Sequence, residues 1–169
     1  LGSSVSLSSD GLIVAIGAKL GNESDSGYVR VYQFSGGSWT QLGVDIDGEA
    51  AGDESGSEVS LSSDGSIVAI AALKNGSNSG HVRVYQFSNG SWTQLGDDID
   101  GEAANDLLGS SVSLSSDGLI VAIGAKLGNE SDSGYVRVYQ FSGGSWTKLG
   151  NDIDGEAAGD ESGKAVSLS

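Results

Sequence analysis

The residues able to do chemistry in this chain are mostly carboxylates, and they recur in register. Asp45, Asp47 and Glu49 occupy positions i, i+2 and i+4 of "DIDGE", which sets three carboxylates on one side of an extended segment. Asp53, in the loop that follows, can return to join them. The same set appears as Asp98, Asp100, Glu102 and Asp106, and again as Asp152, Asp154, Glu156 and Asp160. Ligands that offer only oxygen favour calcium. The competing reading, which needs no ion, is a solvated acidic loop in which Asp53 caps local backbone N–H groups. Nothing in the pattern requires a cofactor.

Other candidates have simpler roles. Asp10, Asp64 and Asp117 each stand in "SSDG". One carboxylate per loop cannot supply the roughly six to eight oxygens that calcium takes, so these three are expected to be turn formers. Arg30, Arg83 and Arg137 fall in mid-strand and need a partner, either a carboxylate or loop carbonyls of a neighbouring element. Trp39, Trp92 and Trp146 could offer a carbohydrate-stacking platform, although packing is the commoner role. His81 is the only histidine, there is no cysteine, and the serines have no base nearby in pattern. A Ser-His-Asp site is therefore not expected. A glycosidase-like carboxylate pair stays open, but near-identical repeats give several equal sites where catalysis uses one asymmetric site. The chain is expected not to be an enzyme.

Composition narrows the setting. Net charge is −15, from eight basic and 23 acidic residues, and such a field repels nucleic acid and anionic membrane surfaces. No apolar run approaches the roughly 18 residues needed to span a bilayer. With 28 Gly, no Pro and mostly short apolar residues, the chain suits strands and tight turns better than helices. Asn22, Asn75, Asn89 and Asn129 head N-x-S sequons and are candidate N-glycosylation sites. They point to a secreted or cell-surface protein.

These residues are carried by an internal repeat. Trp39, Trp92 and Trp146 mark copies about 53 to 54 residues apart, divided as 1–54, 55–107 and 108–161, with 162–169 opening a fourth. Residues 1–56 and 108–163 differ only at Gln41/Lys148 and Val44/Asn151. Each copy predicts four strands, in the first copy Ser3–Ser8, Leu12–Ala18, Gly27–Ser35 and Ser38–Ile46. A type I′ turn at Asp10-Gly11 joins the first two. Both faces of "YVRVYQF" carry apolar bulk, as a sheet packed between sheets requires. Four-stranded meanders of this length are the blades of an all-β propeller; a β-trefoil or β-prism is the rival. Three blades do not close a ring of about 4 to 8. The partners expected are further blades of a longer chain or identical copies, and protein or glycan ligands. The loops between strands two and three and between copies share one end, so one face should be acidic and the other neutral.

The stretch "LGSSVSLSSDGLIVAIGAKLGNESDSGYVRVYQF" resembles the FG-GAP repeat of integrin α-type propellers. "LG" stands where that family has Phe-Gly, "GAK" where it has Gly-Ala-Pro, and "GYVRVYQF" at its Gly-x-Val-x-Val-Tyr strand. The "SWTQLG" and "DIDGEA" segment resembles an extended extracellular form. Leu1, Ser55, Leu108 and Ser162 replace the family's Phe, and its calcium loop is reduced to "LSSDG". The resemblance implies a propeller that acts as a non-catalytic adhesive or structural building block. Calcium-binding and glycan-binding or glycan-active versions are the alternatives.

Overall fold

The computed structural model describes residues 1–22, 24–128 and 132–169. It is all-β, with three antiparallel sheets, one per repeat. The first holds β1 (Val5–Leu7), β2 (Ile13–Ala18), β3 (Tyr28–Ser35), β4 (Ser38–Gln41) and β5 (Ile46–Asp47). The second holds β6 (Ser55–Leu61), β7 (Ile67–Ala72), β8 (His81–Ser88), β9 (Ser91–Gln94) and β10 (Ile99–Asp100). The third holds β11 (Leu108–Leu114), β12 (Ile120–Ala125), β13 (Tyr135–Ser142), β14 (Ser145–Lys148) and β15 (Ile153–Asp154). Among the described residues, no helix is long and apolar enough to cross a membrane.

Two local expectations are corrected. The strand predicted over 38–46 is broken: β4 pairs with the far half of β3, and β5 returns to pair with Tyr28 and Val29. Leu42 still bonds to the Val31 carbonyl, but residues 43 to 45 leave the ladder, and Asp45 swings inward from this bulge. The turn at "SSDG" is not type I′. Gly11 alone has positive φ, at 71°, and its N–H closes on the Ser8 carbonyl at 2.9 Å, as in a type I turn followed by a left-handed glycine. Asp10 has no need of a left-handed backbone, because its carboxylate accepts the Leu12 N–H (2.9 Å) and the Ser8 hydroxyl (2.6 Å). Those bonds hold its pKa below the usual carboxylate range. Asp64 and Asp117 repeat this, so all three are turn residues.

Period-2 alternation explains the stacking. Val68 and Ile70 face the first sheet, meeting Ala15, Val29, Val31 and Ile46. Ile67, Ala69 and Ala71 of the same strand face the third sheet, meeting Leu108, Val112 and Val121. Serines in and just before "VSLS" tie neighbouring sheets together. Ser4 and Ser6 accept the N–H groups of Val59 and Leu61, and Ser60 accepts that of Leu114. Ser111 and Ser113 likewise accept Val166 and Leu168, so residues 162–169 lie against the third sheet as β6 lies against the first.

Candidate functional site

The loops bring the acids to one end of the stack. The N–H groups of Gly52, Glu54 and Ser55 donate to the carbonyls of Ser24, Asp25 and Ser26, so the loop between β2 and β3 and the linker to the next sheet lie together. At the opposite end the "SSDG" hairpins touch, Ser9 to Ser63 and Ser63 to Ser116. Two sheet junctions open on the acidic end.

At the junction of the second and third sheets, alternation along β13 turns Tyr135 and Arg137 toward the second sheet. The Arg137 guanidinium forks Asp152, with Nε at 3.0 Å and Nη2 at 2.6 Å. It also reaches Glu102 of the preceding repeat at 2.9 Å. Its carbon lies 4.3 Å from the Tyr135 ring centre, a cation–π contact. Arg137, then Lys148 at 2.8 Å, holds the Asp152 carboxyl down to about 2. The Tyr135 hydroxyl donates to Asp106 at 3.1 Å, and burial first of all pushes its pKa up. Glu102, Asp106, Leu127, Asp132, Tyr135 and Arg137 line a cavity of about 440 Å³.

The junction of the first and second sheets is built differently. His81 stands where the other copies have tyrosine. Its side chain is only 2% exposed, with Nδ1 3.8 Å from Asp98 Oδ2. Burial, then the charge of Arg83, pushes the imidazole pKa down, so it is neutral at neutral pH. Asp98 accepts from Gln94 at 2.6 Å. Arg83 crosses the junction to Glu49 (3.1 Å) and the Asp47 carbonyl (3.0 Å). Glu49, His81 and Asp98 offer ligand atoms that all lie within 4.8 Å of one another.

The predicted carboxylate sets are therefore shared out among different partners. Asp45 is forked by Arg30 and bonded by Gln41. Asp47, Asp100 and Asp154 sit on the short strands opposite Tyr28, His81 and Tyr135. Asp53, Asp106 and Asp160 accept the N–H groups of Ala50, Ala103 and Ala157, the turn-capping role; Glu156 is exposed. Trp92 and Trp146 donate to the Leu42 and Leu95 carbonyls of the preceding sheet at 2.9 and 2.7 Å. Asn22 is bonded to Ser24 and Ser26, Asn75 to Asp53, and Asn89 lies in an exposed hairpin turn. Asn129 lies outside the described residues. Sequence reasoning saw that His81 replaces a tyrosine in one copy of three but gave neither His81 nor Tyr135 a place in a site. The signal it left unused is the hairpin loop 73–80, one residue shorter than 19–27 or 126–134.

No family model and no curated protein matches the chain. Solved structures do. A candidate 6-phosphogluconolactonase from Bacteroides fragilis aligns with a TM-score of 0.60 at 16% identity, over 89% of this chain and 38% of that one. Its counterpart from Bacteroides uniformis aligns at 0.62, 16%, 89% and 39%. A hypothetical selenium-binding protein from Sulfolobus tokodaii aligns at 0.52 and 14%, over 86% and 40%. The chain spans about two fifths of each neighbour's length, and the likeness is one of fold.

These neighbours correct two expectations, that the chain is a non-catalytic building block and that it is no enzyme. The architecture is shared with proteins named as lactonases. The expectation failed because it treated near-identical repeats as equal sites. His81 and the shortened loop make the two junctions chemically different.

Proposed function

We propose that the three sheets are successive blades of a larger propeller hydrolase, and that it opens a cyclic ester on an acidic sugar at the cleft between the second and third blades. The observation that carries this reading is the cleft itself. It is of small-molecule size, it is floored by the buried Arg137 guanidinium, and it is rimmed by Glu102, whose side chain is 70% exposed. The names of the Bacteroides neighbours supply the substrate class.

In this reading Arg137 stabilises the negative charge that develops on the ester carbonyl oxygen. Glu102 takes a proton from the attacking water. The water oxygen bonds to the carbonyl carbon, the ring C–O bond breaks, and the proton ends on the released hydroxyl. Placement outside the cell belongs to the same proposal and is checked by peptide mass spectrometry for glycans at Asn22, Asn75 and Asn89.

The activity is tested on the full-length protein with a phosphorylated aldonolactone, following acid release in a pH-stat. Glu102→Gln should lower kcat about 100-fold with unfolding unchanged. Turnover no faster than buffer, or Glu102→Gln at the wild-type rate, overturns the reading.

A further inference from the structure

We infer that the junction of the first and second sheets is a binding site for one first-row divalent metal ion of the zinc type, held by Glu49, His81 and Asp98. The inference does not rest on the hydrolase reading, which uses the other junction. One nitrogen and two carboxylate oxygens lie within 4.8 Å of one another. The nitrogen distinguishes this set from the oxygen-only acidic loops. An imidazole with two carboxylates suits zinc and its neighbours better than calcium.

Three features prepare the ligands. The His81 ring is packed with its side chain only 2% exposed, so its orientation is already fixed before an ion arrives. Asp98 keeps one oxygen on Gln94 (2.6 Å) and turns the other toward His81 at 3.8 Å. The equivalent Asp45 and Asp152 are forked by Arg30 and Arg137, whereas Arg83 reaches instead to Glu49 and the Asp47 carbonyl. Zinc bonds of about 2.0–2.2 Å set ligand atoms roughly 3.3 Å apart. The His81–Asp98 pair needs to close by only about half an ångström to meet that spacing. Glu49, 49% exposed, is free to swing, and Arg83 can keep one of its oxygens while the other binds. Three protein ligands leave a coordination position open for water.

Isothermal titration of the chelator-treated full-length protein with zinc chloride tests this at pH 7.5. The expected result is one tight site per repeat triplet, unmoved by millimolar calcium and weakened at least about tenfold in His81→Gln and in Asp98→Asn. Asp152→Asn, the matching change at the other junction, should leave affinity unchanged. Cobalt(II) should give a visible absorption band that His81→Gln abolishes, and circular dichroism verifies that each variant is folded. Several equal weak sites, no site at all, or equal affinity in His81→Gln overturns the inference.

Discussion

The two junctions bury the same strands against each other and differ above them by one ring. In the third repeat the Tyr135 ring lies against Gly128, where an added Cβ would stand 2.1 Å from its Cε1, and its hydroxyl reaches Asp106. Arg137 stacks over that ring and forks Asp152. In the second repeat the loop is shorter by the residue that would offer the glycine, and the ring is an imidazole. The first repeat separates the effect of a neighbouring sheet from that of the repeat itself. Among the described residues no sheet packs over Arg30, yet it stacks 4.7 Å over Tyr28 and forks Asp45 as Arg137 does. The fork therefore belongs to the tyrosine-bearing repeat and does not depend on its neighbour. Where His replaces Tyr that platform is gone: Arg83 lies 5.7 Å from the Tyr85 ring centre instead and turns to Glu49 and the Asp47 carbonyl, leaving Asp98 without an arginine.

The largest effect that separates the junctions is apolar. Leu108, fully buried, stands at the start of β11, where the first junction has Ser55. Leu108→Ser removes a packed side chain and leaves a hydroxyl in its cavity, so it should cost about 3–5 kcal/mol in urea unfolding. A cost under about 1 kcal/mol would mean that the second junction tolerates a serine as the first does. Next come the carboxylates. Asp152→Asn leaves the buried Arg137 without its fork and should cost about 2 kcal/mol. Asp98→Asn, which no arginine uses, should cost under about 0.5 kcal/mol. Equal costs would mean that the two arginines are held alike.

The repeat, the four-strand meander and the acidic end were legible in the sequence because each rests on local rules. Apolar alternation dictates which residues face the core, and "SGG" and "SSDG" dictate where the chain turns. The broken fourth strand was not legible, since a run such as "SWTQLGVDI" gives no sign that residues 43 to 45 leave the ladder to deliver Asp45 to Arg30. The spacing of Asp45, Asp47 and Glu49 suggested convergence for the same reason: it assumed a continuous strand. The bulge sends the first inward, and the linker carries the third across to Arg83. His81 was visible as a letter, but its burial and its carboxylate neighbours come from packing between repeats.

The histidine also sets a pH dependence peculiar to the first junction. Its folded pKa lies below the unfolded value near 6.5. Between those two values the unfolded chain binds the extra proton, so stability rises with pH and is lost as pH falls below about 6.5. In chelator, the slope from this one group is at most about 1.4 kcal/mol per pH unit within that window. His81→Phe should remove this component of the melting-temperature slope. An unchanged slope would place the titration elsewhere and leave the imidazole solvated.

A smaller pair of opposed effects concerns two serines on the same strand. Ser55 Oγ is buried and has no hydrogen-bond partner among the described residues, while Ser57 Oγ, also buried, donates to the Ala71 carbonyl at 3.0 Å. An unpaired buried hydroxyl forfeits its bonds to water and gains nothing in return. Ser55→Ala should therefore stabilise the protein by about 1 kcal/mol, and Ser57→Ala should destabilise it by a similar amount. Both changes remove a single oxygen from a buried β6 position, so burial cannot account for opposite signs; the hydrogen bond must. If both variants lose stability, Ser55 has a partner, and this counterpart of Leu108 is part of the first junction's polar network.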